Sequence, residues 1–463
     1  MCPTVLWAVA VGASLLTCLG TLSYAGGLQP LRVSDNRRFL VNKDGTPFFW
    51  QGDTAWSLFQ RPSREEVDVY LETRAEQKFT VVQAVVLGEI CGASARNAEG
   101  HDPLKNNDPA QPNEDFFTHV DYVVDKAESL GLYIGMLPTW GDHVSPLEGG
   151  EARRIFTPQN AATYGEFLGR RYRSKPIIWI LGGDHNPTAT DVVTWRAMAE
   201  GLERGDGGAH LMTYHPRGGT SSSQFLHAEP WLDFHMIQSG HSRRDAANYS
   251  MIAADYAEEP VRPCLDGEPC YEDHPVNWVP ANGYFDDYDV RKAAYRALFA
   301  GAFGHTYGAN PVWQFYEPDR KPITGARTPW REALHLPGAD QMQHARALLE
   351  SRPFLSRVPD QSLLPSTPDT DADHVQATRD SDGSYAFIYV PSGKPVTVDL
   401  GKLAGERVRA WWYNPRTGTA DAAGELGRHG RREFSPPSSG DGEDFVLVLD
   451  DAERNFPPPG TGQ

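Results

Sequence analysis

Two apolar runs in this chain each end by delivering a carboxylate. Ile177-Ile178-Trp179-Ile180-Leu181-Gly182-Gly183 leads into Asp184, and Val261-Arg262-Pro263-Cys264-Leu265-Asp266-Gly267 leads into Glu268. Taken singly, an acid after Gly-Gly or Asp-Gly is an ordinary turn former or helix N-cap. The pair reads differently if both runs are strands of one parallel barrel, because such barrels carry their reacting groups at the C-terminal strand ends. Two carboxylates facing each other across a barrel mouth can divide the labour of cleaving a glycosidic bond. One protonates the leaving oxygen while the other supports or attacks the oxocarbenium-like carbon.

Other runs end in polar and aromatic residues of the kinds that bind sugar hydroxyls and ring faces. Asp53 and Trp56 follow the first run, Gln83 and Glu89 belong to the second, and Trp140 and Asp142 close the third. His215 and Arg217 follow the fifth, Gln238 with His241 the sixth, Tyr271 lies just past Glu268, and His305 and Tyr307 close the chain's eighth run. Each alone is accounted for as a satisfied structural group, Asp53 for instance as a helix cap. A ring of them around one pocket is what several sugar hydroxyls require.

The elements that would position these residues alternate regularly from about residue 46 onward. Apolar runs at 48–50, 80–87, 132–137, 177–181, 211–214, 234–237, 261–265 and 305–307 are continuous enough to be strands buried on both faces. Amphipathic segments lie between them, the first opened by the capping box Ser63-Arg64-Glu65-Glu66 with Val67, Tyr70, Leu71 and Ala75 on one stripe. Others span 114–130, 159–172, 192–202, 246–256 and 290–302. This is the count of a (β/α)₈ TIM barrel, and no Gly-rich phosphate loop follows the first strand as a doubly wound dinucleotide fold would need. The barrel is expected over 28–351. Past Pro353 the pattern shifts to short β-rich runs (385–390, 396–400, 408–413, 445–449) separated by Asp382-Gly383, Ser392-Gly393 and Thr417-Gly418. This predicts an all-β sandwich domain over 353–455, with a Pro-rich tail at 456–463.

The 463 residues carry 43 Lys+Arg against 61 Asp+Glu, a net charge of −18, which excludes non-specific nucleic-acid binding. Residues 1–25 are an apolar leader ending Ser23-Tyr24-Ala25, read as a cleaved signal peptide of a secreted or periplasmic protein, with a membrane anchor as the alternative. No membrane partner is expected beyond that export signal. Cys2 and Cys18 fall in the leader, so Cys91, Cys264 and Cys270 cannot form a disulfide scaffold, and no His/Cys spacing suggests a metal. No cofactor is expected, and an oligo- or polysaccharide is the expected partner.

The segments ending at Trp56, Asp142, Asp184 and Glu268 resemble the apiosidase-like hydrolases, glycoside hydrolase family 140. So do His215-Pro216-Arg217-Gly218-Gly219, Met236-Ile237-Gln238-Ser239-Gly240-His241 and Gly301-Ala302-Phe303-Gly304-His305-Thr306-Tyr307-Gly308. Trp411-Trp412-Tyr413-Asn414-Pro415-Arg416-Thr417-Gly418 is similar to the collagen-binding-type β-sandwich that follows this barrel. The resemblance implies an exo-acting glycosidase that removes terminal apiose from pectic rhamnogalacturonan II. The implied catalytic pair is Asp184 and Glu268. In barrel glycosidases more widely the strand-four acid is Glu after Asn, whereas here it is the shorter Asp184 after Gly183. Glu268 is expected to be the ionised nucleophile of a retaining mechanism and Asp184 the proton donor, its pKa raised by burial or by Glu268. The competing reading is a non-catalytic secreted protein that binds carbohydrate or matrix.

Overall fold

A computed structural model describes residues 28–88, 96–146, 154–366 and 371–462. Eight parallel strands build the first unit: β1 (Trp50–Thr54), β2 (Val81–Leu87), β3 (Tyr133–Thr139), β4 (Ile177–Gly182), β5 (Met212–His215), β6 (His235–Gln238), β7 (Cys264–Asp266) and β8 (Gly304–Tyr307). They lie in the order β5-β4-β3-β2-β1-β8-β7-β6. The gap between β5 and β6 is bridged where Asp233 N–H donates to the Met212 carbonyl at 2.9 Å and the Thr213 hydroxyl to the Phe234 carbonyl at 2.7 Å. The sheet is a nearly closed barrel.

Alternation along each strand decides which residues can reach the barrel's interior. Trp50, Val81, Val85, Ile178, Ile180, Phe234 and Leu265 belong to the cluster that fills it, whereas Val82, Ala84, Ile134, Trp179 and Tyr214 pack against the surrounding helices. Those helices are α1 (Arg64–Glu76), α2 (Glu114–Ser129), α3 (Pro158–Tyr172), α4 (Ala189–Asp206), the single turn α5 (Ser223–Leu226), α6 (Asn248–Ala257), α7 (Asp287–Phe299) and α8 (Pro337–Glu350). The capping box at α1 forms as its sequence predicts: Glu66 N–H donates to the Ser63 hydroxyl, and Ser63 N–H to the Glu66 carboxylate. Around β4 the helices pack closely. Gly165 and Gly169 of α3 face Gly201 and Gly205 of α4 so closely that a Cβ at Gly201 would sit 2.3 Å from the Ala162 carbonyl oxygen.

Two boundaries differ from expectation. The first barrel strand begins at Trp50, because Pro47–Phe48 joins Leu31–Val33 and Leu40–Asn42 in a small antiparallel sheet. β7 begins at Cys264 rather than Val261, and Pro263, which has no N–H to give a ladder, contributes only its carbonyl, to His235 N–H at 2.8 Å.

The C-terminal unit comprises β9 (Arg357–Pro359), β10 (Gln376–Asp380), β11 (Tyr385–Val390), β12 (Val396–Asp399), β13 (Arg407–Asn414), β14 (Thr419–Gly427), β15 (Arg431–Phe434) and β16 (Phe445–Asp451). A six-stranded antiparallel sheet, β9-β10-β11-β16-β13-β14, is faced by the pair β12-β15. Ala386, Ile388, Val408, Leu447 and Leu449 on one side of the large sheet bury Val396 and Val398. The aromatic side of the sheet meets the barrel: Tyr389 stacks on Tyr295 at 5.1 Å and Phe387 on Phe299 at 5.9 Å. Arg291 pairs with Asp444 at 2.9 Å and Arg352 with Asp450 at 2.8 Å, all four side chains buried. The Pro-rich end is not a free tail. Arg352 donates to the Pro457 carbonyl at 3.0 Å, lies 4.8 Å over the Phe456 ring, and Ser351 Oγ accepts from Gly460 N–H. The apolar leader lies outside the described residues. Among the described residues no helix is long and apolar enough to cross a membrane.

Candidate active site

A cavity of about 510 Å³ opens at the C-terminal ends of the barrel strands. Its wall is supplied by seven of the eight strand ends: Trp56, Trp140 with Asp142, Asp184 with His185, Arg217, Gln238 with His241, Glu268 with Tyr271, His274 and Trp278, and Trp313. The eighth strand end, β2, runs into residues 89–95, so Glu89 lies outside the described residues.

At the end of β4 the backbone takes three successive left-handed steps, Gly182 (φ 87°), Gly183 (φ 116°) and Asp184 (φ 54°). A Cβ at Gly182 would come 2.5 Å from the His215 carbonyl oxygen, and one at Gly183 would come 2.7 Å from the Trp140 ring, so only glycine fits at either. Asp184 itself bears the unfavourable conformation, a strain of roughly 1–3 kcal/mol that the surrounding packing must impose. Its Oδ1 accepts from Gln238 Nε2 at 2.8 Å. That leaves Oδ2 as the oxygen to carry a proton.

Glu268 is held from two sides. His241 Nε2 donates to Oε1 at 2.9 Å, and His215 Nε2 stands 2.8 Å from Oε2, a close charge contact that is not squarely aligned as a hydrogen bond. Asp184 N–H donates to His215 Nδ1 at 3.4 Å, which places the imidazole proton on Nε2, toward Glu268. The Tyr271 hydroxyl, which accepts from Trp56 Nε1 at 3.2 Å, lies beside the same carboxylate. Beneath the floor, Gln83 Nε2 donates to the Gly267 carbonyl at 2.9 Å and fixes the turn that presents Glu268.

The environments push the two acids apart. Burial first, and then the negative charge of Glu268, raise Asp184 to about 6, against the opposing pull of His215 and Gln238. Burial would also raise Glu268, but the close contacts and charges of His215 and His241 together outweigh it and hold that carboxyl well below the usual range. His215 in turn is raised, because the pull of Glu268 exceeds the effect of its own burial. One carboxyl group is thus poised to hold a proton in weakly acidic solution while its neighbour stays ionised, the division that acid–base catalysis on a saccharide requires. An oxygen of Asp184, an oxygen of Glu268 and a ring nitrogen of His215 lie within 4.8 Å of one another. With its Nε2 proton toward Glu268, His215 supports that carboxylate.

Of the residues singled out from sequence, Trp56, Trp140, Asp142, Asp184, Arg217, Gln238, Glu268 and Tyr271 line the cavity, and His215 stands directly behind Glu268. Four others point away from the cavity or lie beneath it. Asp53 points to the helix side of β1, where its Oδ2 accepts from Tyr70 at 2.6 Å and Arg74 at 2.7 Å. His305 and Tyr307 occupy the outward parity of β8; the Tyr307 hydroxyl donates to Glu272 at 2.6 Å, and His305 is buried beside Leu298 and Met342. Gln83 faces inward but lies below the floor. Asp266 likewise turns away, accepting from Ser239 at 2.6 Å and Asn248 at 3.1 Å. Sequence reasoning had not counted His185, His274, Trp278 and Trp313 among the site residues, and had noted His241 only as a neighbour of Gln238. His185 could have been found from its place next to Asp184; it sits 3.0 Å from Asp142. His274 and Trp278 come from the long loop after β7, whose path carries no periodic signal, and Trp313 from the short helix Asn310–Trp313 just past β8.

A barrel with this site is a glycoside hydrolase scaffold, and comparison with known proteins agrees. Residues 34–356 match the family model described as "Apiosidase-like, catalytic domain", and residues 358–450 match "Putative collagen-binding domain of a collagenase". The chain belongs to the apiosidase-like family and is a glycoside hydrolase-like enzyme by fold. A solved structure titled "Glycoside hydrolase" is 35% identical, with a TM-score of 0.86 over 93% of this chain and 98% of its own. A glycoside hydrolase family 5 structure from Bacteroides vulgatus is 34% identical, with a TM-score of 0.86 over 93% of this chain and 96% of its own. No curated protein matches the chain.

Proposed function

We propose that the protein is an exported, exo-acting glycosidase that releases terminal apiose from pectic side chains such as rhamnogalacturonan II, by double displacement with retention. The observation that carries this reading is the pair at the cavity floor, Asp184 raised to about 6 and Glu268 held low, with oxygens within 4.8 Å. Carboxyl groups about 5–5.5 Å apart suit direct attack, whereas inverting enzymes need roughly 6.5–9.5 Å to admit a water. An oxygen of each acid lying within 4.8 Å of the other supports the retaining reading.

In the first step a carboxylate oxygen of Glu268 attacks the anomeric carbon as the bond to the leaving oxygen breaks, and the Asp184 proton passes to that oxygen. The result is a glycosyl ester on Glu268. In the second, Asp184, now a carboxylate, takes a proton from water as the water oxygen displaces Glu268. His215 and His241 keep Glu268 ionised before attack and stabilise it again as it leaves. Arg217 lines the cavity and its guanidinium has no hydrogen-bond or ion-pair partner among the described residues, which leaves its donors for substrate oxygens. The family resemblance supports apiose as the sugar, and the apolar leader supports export.

Incubation with a panel of pectic side-chain oligosaccharides tests the reading. Apiose is the expected monosaccharide. Release of a different sugar would reassign the substrate, and release of none would remove the proposal.

A further inference from the structure

Trp278 is the most exposed of the large apolar side chains among the described residues, at 51% of its surface, and it lies on the wall of the active-site cavity. Its backbone is left-handed (φ 59°), as is that of Asn277 before it (φ 55°). A bulky aromatic residue rarely takes that conformation, and two in succession need a loop that enforces them. The loop does so. Val276 N–H donates to the Gly283 carbonyl at 2.9 Å, Asn277 N–H to the His241 carbonyl at 2.8 Å and Trp278 N–H to the Pro275 carbonyl at 3.0 Å. The indole stands edge-on to His241 and His274, each 6.0 Å away. Half of its surface is exposed, so the strain and the bonding do not serve the core. They hold an indole in water at a fixed place.

Depth says what that indole would meet. Trp56 and Trp140, 3% and 5% exposed, lie deep beside the carboxylates, where the sugar to be released must sit. Trp278 is at the mouth, where the remainder of the substrate leaves the cavity. We infer that Trp278 is a leaving-group platform: it stacks on the C–H face of the sugar ring from which the terminal residue is cleaved, and so selects saccharides over simple glycosides. Flat aromatic faces pair with apolar ring faces, and a pre-fixed side chain loses little freedom on binding. This inference rests on the glycosidase reading above.

The test compares Trp278→Ala and Trp278→Phe with the wild type on two substrates, an apiose-bearing pectic oligosaccharide and apiosyl fluoride, whose leaving group has no ring. Trp278→Ala should lower kcat/KM at least tenfold on the oligosaccharide, chiefly through KM, and leave the fluoride nearly unchanged, with Trp278→Phe intermediate. Equal losses on both substrates, or no loss on the oligosaccharide, would overturn the platform. Binding of the same oligosaccharide to Glu268→Gln, with and without Trp278→Ala, separates the two claims. If the wild type turns over neither substrate but Trp278→Ala still weakens binding tenfold, the hydrolase reading fails and the platform stands. Binding that ignores the substitution removes the platform.

Discussion

Asp53 and Asp184 follow the same rule of placement, each an acid at a barrel strand end beside a glycine, yet the chain uses them in opposite ways. Asp53 is in the interior of β1 on the parity that faces α1, and it meets Arg74 at 2.7 Å with both side chains fully buried. The guanidinium keeps its proton, so Asp53 is held in place by a fixed positive charge, although burial raises the carboxyl's pKa. Asp184 lies one step beyond its strand, at the cavity, beside a second carboxylate whose partners are imidazoles. Its charge is free to change. An acid becomes chemically useful when the parity of its strand turns it to the cavity and its neighbours leave its proton negotiable, and strand-end position alone supplies neither.

Substitutions can break that contrast at either end. The largest effect belongs to Glu268→Gln, which removes the attacking group and should cost at least about 10⁴-fold in kcat on every glycoside, at the top of the range for one positioned group. Asp184→Asn should cost roughly 10²–10⁴-fold on the saccharide but far less on an activated aryl glycoside, whose leaving group needs no proton. Asp53→Ala should do the reverse. Stranding Arg74 as a buried unpaired charge should lower stability by about 3–5 kcal/mol, read by denaturant or thermal melting, while kcat/KM per folded molecule stays near wild type.

The titration of Asp184 sharpens the contrast further. Since Asp184 must be protonated to act, kcat/KM on the saccharide should fall as the pH rises through about 6, whereas the Glu268 limb lies far to the acid side. The same shift carries a stability sign. Asp184 binds its proton more tightly in the folded protein than in the unfolded chain, so its contribution is full below the unfolded value near 3.8 and is lost as the pH rises through about 6. Asp184→Asn cannot ionise, and should therefore melt higher than the wild type at pH 7–8, with the difference vanishing near pH 4. The gain should be small, on the order of 2–4 °C for each kcal/mol recovered.

Much of this was legible in the sequence because the barrel repeats one simple physical pattern. Continuous apolar runs such as Ile177 to Leu181 mark strands buried on both faces, and the Ser63–Glu66 capping box marks a helix start. The placement of Asp184 and Glu268 after β4 and β7 followed from counting. Side-chain direction did not follow as readily. Successive residues of a strand point to opposite sides, and a place near the strand end does not say which side: Asp53 has the parity opposite to Trp50, so it faces α1 and not the cavity. His305 and Tyr307 went astray for the same reason on β8. The loop residues His274 and Trp278 were out of reach for another: their positions depend on a turn whose left-handed steps no local propensity announces.

The most direct test of the central claim is mass spectrometry of the protein after inactivation by an activated 2-deoxy-2-fluoro glycoside of the released sugar, which slows hydrolysis of the glycosyl ester and lets it accumulate. The account predicts a single adduct, on the peptide that carries Glu268, absent from Glu268→Gln and still formed in Asp184→Asn. An adduct on Asp184, Asp142, Asp266 or Asp53 instead would contradict it.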